Sequence, residues 1–583
     1  MFLPTTKEEL KGLGWDGLDV ILITGDSYID SPFVGAAVIG KVLLNAGYKV
    51  GIIGQPETTS GADILRLGEP RLFWGVTAGC IDSLVANRTA SGRRRKSDDY
   101  TPGALNNRRP DRASIIYANL IRRFRKDASR PLVLGGIEAS LRRTAHYDFW
   151  TDAIRRSILF DARADYLLYG MAENSVVQLA GCIQQGKDPK TVRGLCYISK
   201  NLPDNCLELA SFEECAKDKA AFTKAFKIFY DNNDPMTALT LAQKHDSRYL
   251  IQNPPAFYLT QQELDAVYNL KYERDVHPFH RKDGEVKALE TIRFAISTHR
   301  GCYGECGFCS IAVHEGRRTR SRSRESILAE AEEMTRHPLF KGRIHDVGGP
   351  SANMYATGCE RMEKKGCCQK KSCLSPAICP NLNFGHAEQI LLLKALRAVK
   401  GVQKVVVASG LRYDMTLADK KDGERYLKEL VRHHVSGQMK IAPEHSEANV
   451  LEIMGKPGCG RSTLMKFKSL FYRFTEEAGL KQFLSYYLMA AHPGCGLNDM
   501  KRLKAFTAQD LGAPPEQIQI FTPTPSTYST LAYWTECNPF NGKPIFVEKS
   551  VRSKEMQKEM LVGAEGRKET FDSYKARFRR KGR

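Results

Sequence analysis

Two short apolar runs, DVILITGD (19–26) and YKVGIIGQP (48–56), flank VGAAVIGKVLLNAG (34–47), an apolar stretch of helical period that stops at a glycine. That order reads as a βαβ unit, since a parallel strand buried on both faces is a continuous apolar run. LFWGVTAG, RPLVLGGIEAS and ADYLLYGMAE supply further strands with loops at their ends. The alternation predicts an α/β fold with a doubly wound, Rossmann-like domain over 1–285. Such a domain invites a nucleotide or a corrinoid, but no G-x-G-x-x-G follows a strand and no D-x-H-x-x-G is present. Asp26, Asp30 and Gly35 echo the second pattern without its histidine, so a scaffolding or substrate-capping role is expected.

Residues 200–290 read as mixed and mostly helical. A second series then begins, with strand candidates RFAISTHR (293–300), RIHDVGG (343–349), VQKVVVASG (402–410), GQMKIAPEH (437–445), FLSYYLMAAHP (483–493) and QIQIFTPTP (517–525). Helical patterns separate them, which predicts a partial (β/α)6 barrel over 286–540 and a basic helical tail over 541–583. A chain of 583 residues exceeds what one core supports. In such a barrel the chemistry gathers on the loops that follow the strands. Here those loops are the cysteine segment STHRGCYGECGFCS, then GGPSAN, SGLRYD, PEHS, HPG and TPSTY.

No stretch reaches the length of a membrane span, and Lys7, Glu8 and Glu9 stand where a signal peptide needs an apolar run. The expectation is a cytoplasmic protein with no membrane partner. In a reducing compartment 16 cysteines are not disulfides, and eight of them fall between Cys302 and Cys379. The formal charge of +21 has two readings. One is RNA or another anionic partner; the other is solubility, with local basic runs at 91–96 and 575–583.

Cys302, Cys306 and Cys309 have the spacing C-x3-C-x2-C. Thiolates hold iron–sulfur clusters, and three of them leave one iron of a cubane open to a chelating molecule. The amino and carboxylate groups of S-adenosylmethionine can chelate it. A Cys3His zinc site completed by His299 or His314 is the competing reading, but zinc sites usually come as paired two-cysteine knuckles.

The segments RGCYGECGFCSIAVHEGR, DVGGPSANMYATGC, IAPEHSE and FTPTPSTYST resemble the YgiQ family of radical SAM proteins over nearly the whole chain. The resemblance implies a [4Fe-4S] cluster on Cys302, Cys306 and Cys309. It further implies reductive cleavage of S-adenosylmethionine to a 5′-deoxyadenosyl radical, with a donor such as flavodoxin or ferredoxin, and it assigns no substrate. Glycines 301, 304 and 307 would let the loop wrap closely. Gly348 and Gly349, with Ser351 beside them, would approach the methionine amino group. Ser409 and Arg412 would take ribose and carboxylate, and Glu444 a ribose hydroxyl. The alternative is a metal-stabilised RNA-binding protein on a catalytically retired barrel.

A second cysteine group, 358–383, interrupts the link from the second strand of this series to its helix. Cys359, Cys367, Cys373 and Cys379 could hold a second metal, zinc or an auxiliary iron–sulfur cluster, with Cys368 competing with its neighbour. Reduced structural thiols are the other reading. The lysines nearby are expected to lower the thiol pKa values. GKPGCGRST (455–463) only approximates a phosphate loop, and Ser462 or Thr463 is read as a helix N-cap. TPTPST (522–527) is a substrate-facing loop or a rigid turn, and His445 and His492 are catalytic or structural.

Overall fold

The computed structural model describes residues 1–369, 371–512 and 517–562. The apolar runs at the start form β1 (Val20–Thr24) and β2 (Val50–Gly54), buried at every position, joined by α1 (Gly35–Asn45). β3 (Phe73–Thr77), β4 (Leu132–Leu134) and β5 (Tyr166–Leu168) follow, with α2 (Glu173–Gln184) after β5. All five strands are parallel, in the spatial order β2-β1-β3-β4-β5. The chain therefore reverses its winding between β1 and β3, and the loops leaving those two strands part there.

Residues 200–290 are less helical than expected. β6 (Leu195–Ser199), β7 (Leu207–Leu209), β8 (Leu241–His245) and β9 (Arg248–Gln252) extend the sheet to nine strands. β8 and β9 form a hairpin across Asp246, whose φ of 54° is left-handed. Each carries one charged residue, Lys244 or Arg248, beside polar ones, so neither shows the continuous apolar run of β1. α3 (Lys219–Asp231) is the long helix of this stretch.

The two acids of the corrinoid-like echo have structural partners. Asp26 is paired with buried Arg109 at 2.8 Å and accepts from the Cys80 N–H at 2.7 Å. Asp30 pairs with buried Lys41 of α1 at 3.0 Å.

The second series contains β10 (Ala295–Ser297), β11 (Asp346–Gly348), β12 (Lys404–Val405), β13 (Gln438–Glu444), β14 (Phe483–Ala490) and β15 (Gln517–Ile520). β10 runs parallel to β11, and Arg343–Ile344, just before β11, runs parallel to β12. The bridge Leu411–Ile441 joins the loop after β12 to β13, and β13-β14-β15 is a parallel sheet. Successive strands thus lie side by side in chain order.

The two α/β units share a core. Phe226 and Tyr230 of α3 pack on Tyr528, which opens α4 (Tyr528–Thr535), with ring centroids 5.1 and 4.5 Å apart. Tyr147 stacks on Trp534 at 4.9 Å. Buried Arg274 and Arg322 both grip the buried Glu330 carboxylate. The tail run 575–583 lies outside the described residues; Val551–Val562 is a helix whose Gln557 side chain accepts from the Ala491 N–H at 2.9 Å. Among the described residues no helix is long and apolar enough to cross a membrane.

Candidate functional site

The three-cysteine loop follows β10 and a short strand, His299–Arg300. Its glycines are required by close approach. A Cβ at Gly301, where φ is 79°, would stand 2.1 Å from the Arg318 carbonyl oxygen, and one at Gly304 would come within 3.2 Å of the Cys302 sulfur. With a hydrogen in its place, the Gly304 N–H points at that sulfur at 3.4 Å. Cys302, Cys306 and Cys309 are half-buried, and they feel one another: a charge on Cys306 raises the pKa of both other thiols. Burial is the larger cause, and it pushes Cys302 up to about 12.

Among the described residues no three His, Cys, Asp or Glu side chains converge as a single metal ion requires. His299 does not turn toward the thiols. Its Nδ1 lies 2.9 Å from the Thr298 hydroxyl, and its ring covers Gly349, where a Cβ would come within 2.6 Å of it. A multi-iron core takes one thiolate per iron and so needs thiols that are neighbours without converging. The three thiols, with an N–H and a cation aimed at their sulfurs, fit such a group.

Arg412 supplies the cation. Its Nε and Nη2 hold Asp414 at 2.8 and 2.5 Å, and its Nη1 points at the Cys306 sulfur at 3.8 Å. The guanidinium is therefore half committed and leaves one edge toward the thiols. The other sequence-predicted contacts are also tied inside the chain. Ser409 donates to Asp346, Ser351 reaches Asn353 at 3.4 Å, and Glu444 pairs with buried Lys456 at 3.3 Å. Gly348 abuts the Ser409 side chain, so β11 and the loop after β12 close on each other here.

The cysteine-rich segment is pinched at its base, where Gly358 and Asn383 exchange both backbone hydrogen bonds at 2.9 and 2.8 Å. Cys359, Cys367 and Cys373 are buried and Cys379 half-buried, packed with Met354, Met362, Leu374 and Tyr303 in one apolar cluster that Cys302 touches. The adjacent pair is split: Cys367 is buried in that cluster, while the Cys368 sulfur accepts from Arg361 at 2.7 Å. The expected lowering of thiol pKa by lysines is not what happens. Burial pushes Cys367 and Cys373 up, Cys373 to about 12, with the Glu305 carboxylate adding to the rise. Lys364 instead pairs with Glu360 on the exposed side of its helix.

Sequence reasoning gave Glu305 and Arg317 no role. Glu305, inside the cysteine loop at φ 44°, is buried against Arg317, whose Nη2 donates to it at 3.0 Å. The same nitrogen donates to the Cys368 and Lys371 carbonyls at 2.8 and 3.3 Å, so one guanidinium ties the loop to the segment above it. The usable signal was an acid placed between thiols with a run of arginines, 317–322, close behind it.

The remaining candidates have partners within the chain. His492 meets the Pro493 carbonyl and the Ser529 hydroxyl at 2.9 and 2.7 Å, and His445 accepts from the Glu447 N–H at 3.1 Å. TPTPST is anchored at its end: Ser526 donates to the Leu141 carbonyl at 2.8 Å and Thr527 caps α4. The long helix Arg461–Glu477 is capped by Gly460, so Ser462 and Thr463 lie inside it and cap nothing.

Residues 2–295 match the family model described as Radical SAM N-terminal. A UPF0313 protein of Fusobacterium nucleatum is 52% identical over 96% of this chain and 98% of its own length. One from Thermotoga maritima is 45% identical over the same shares, 96% and 98%. The chain belongs to the UPF0313 family. The YgiQ resemblance is consistent with that membership. Among solved structures, the UPF0313 chain is similar in fold to the radical S-adenosylmethionine methyltransferase TsrM from Kitasatospora setae, solved with cobalamin and a [4Fe-4S] cluster. The TM-score is 0.51 at 14% identity, covering 88% of this chain and 74% of that one. At that identity the likeness concerns the mixed α/β fold alone.

Proposed function

We propose that this UPF0313 protein is a radical SAM enzyme, with a [4Fe-4S] cluster on Cys302, Cys306 and Cys309 and S-adenosylmethionine as co-substrate. The observation that carries the reading is the loop itself. Three closely spaced thiols follow the first parallel strand of their series, with the Gly304 N–H 3.4 Å from the Cys302 sulfur and the Arg412 guanidinium 3.8 Å from the Cys306 sulfur. When bound, such a cluster would supply the one electron needed to cleave the C5′–S bond of S-adenosylmethionine with release of methionine, chemistry that belongs to the cofactor.

The chain's own residues do the rest. Arg412 offsets the negative charge that thiolates bring into a half-buried site, and Asp414 fixes its orientation. Tyr303, Met354 and Leu374 cover the Cys302 side and keep water away. Arg317 holds the cysteine-rich segment over the loop. An electron donor of the flavodoxin or ferredoxin class would serve it. The test is anaerobic reconstitution with iron and sulfide, followed by S-adenosylmethionine and a chemical reductant. The reading requires 5′-deoxyadenosine to form, and a reconstituted protein that makes none sinks it.

A further inference from the structure

Where the two α/β units face each other they enclose a cavity of about 450 Å³. One wall is built from the loops after β3, β4 and β5, at Gly79, Gly135 and Gly170, with the first residues of α1 and α2. The other comes from Ser297–Arg300 and Gly348–Pro350. The cavity thus opens beside the β1/β3 winding reversal, where doubly wound sheets bind their ligands.

Two features ask for a ligand. The first is the start of α1. Its N-cap is Val34, which has no capping side chain. The Cys80 sulfur lies 3.7 Å from the Phe33 carbonyl just before it, and the Ala36 N–H, on the cavity wall, meets no acceptor among the described residues. Helix N-termini of this kind attract anions. The second is Glu173, 3% exposed, at the start of α2. One of its carboxylate oxygens accepts from Arg300, whose Nε donates to the Tyr268 hydroxyl at 3.1 Å. The other, Oε2, is buried without a partner among the described residues. A buried acceptor left unmet is costly, so a ligand donor there would be held firmly. Most of the remaining wall is apolar, including Phe33, Ile39, Ile137 and Met171.

We propose that this cavity takes the substrate, a compact and mainly apolar molecule. Its anionic oxygen group, carboxylate or phosphate, sits at the start of α1 on the free Ala36 amide, and an N–H or O–H donor lies against Glu173. The proposal rests on the radical SAM reading only in calling the ligand a substrate. At interior packing density a volume of this size suits a ligand of about 25 non-hydrogen atoms.

The full-length chain is titrated with 4-phenylbutyrate, 4-phenylbutyl phosphate, 4-phenylbutyramide and cyanocobalamin. One acid or phosphate should bind per chain, with the neutral amide about ten-fold weaker. The tighter of the two anions names the head group. Gly35→Asp puts a carboxylate at the helix start, which suits the helix but repels the ligand, and should abolish binding. Gly35→Ala should retain binding, because a Cβ there meets nothing within 4 Å. The proposal is overturned by equal binding of the amide, an unaffected Gly35→Asp, stoichiometric uptake of cyanocobalamin, or displacement of the acid by S-adenosylmethionine. Probe binding without 5′-deoxyadenosine formation would leave the cavity assigned and remove the enzyme reading. Cleavage with no probe binding would do the reverse.

Discussion

Arg412 divides its guanidinium between two partners, Asp414 through two nitrogens and the Cys306 sulfur at 3.8 Å through the third. Both carboxylate and guanidinium are buried, so removing either leaves an uncompensated charge, which costs about 3–5 kcal/mol. Arg412→Lys keeps the charge and loses the fork. Reconstituted Arg412→Lys should retain its iron–sulfur absorbance while the cluster's redox potential shifts and 5′-deoxyadenosine formation drops about ten-fold. Potentiometry followed by electron paramagnetic resonance checks this; an unchanged potential would separate Arg412 from the sulfurs.

Replacing any one of Cys302, Cys306 or Cys309 with Ala should bleach the brown absorbance and end 5′-deoxyadenosine formation. Cys215, buried beside the Ala210 carbonyl in the shared core, is the control. Cys215→Ala should keep both signals, at a stability cost of about 1 kcal/mol measured by urea unfolding. Single triad mutants that keep colour and cleavage would refute the loop assignment.

The split between the adjacent thiols predicts their chemistry. Cys368 is half-buried at the edge of its segment, whereas Cys367 and Cys373 are buried with raised pKa values. Brief treatment of the metal-free protein with iodoacetamide at pH 7.5 should label Cys368 first and leave those two until the protein unfolds. Peptide mass spectrometry reads the order.

Acid should destabilise the fold through its buried histidines. Burial holds His146 and His245 down to about 4, so they are neutral in the folded chain and protonate once it unfolds. Their contribution is fully present above about pH 6.5 and is lost as pH falls toward 4, by about 1.4 kcal/mol per unit per histidine. His245 stacks on Phe160 at 4.6 Å and Phe212 at 5.8 Å, so His245→Phe should flatten part of that slope. Urea unfolding at pH 7 and pH 5 measures it.

The exposed run Arg93–Lys96 offers a test of the +21 charge. If RNA is a partner, binding should fall steeply with salt through counterion release. Filter binding at 50 and 200 mM salt with a flat response would leave the charge to solubility.

β1, β2 and the cysteine loop could be read in the sequence because their signals are local. A strand buried on both faces is apolar throughout, and three thiols within eight positions have few innocent explanations. β8 and β9 were missed because they are only five residues long and carry polar positions, Gln243 and Lys244 in one and Arg248 and Gln252 in the other. The tie from Arg317 to Cys368 spans 51 residues, and Gly349 lies under His299 across a comparable gap. Such contacts are set by how strands assemble, which no local period records. The interdomain cavity belongs to the same class: its walls come from both halves of the chain.

The paired backbone bonds between Gly358 and Asn383 give the cysteine-rich segment the character of an exchangeable part. Its two ends leave the framework at one point, so lengthening or shortening it disturbs the closing entropy only logarithmically and the flanking strand and helix hardly at all. A graft that preserved this clasp and the Arg317 contact could replace everything between them, making the cover over the thiols open to redesign while the floor stays fixed.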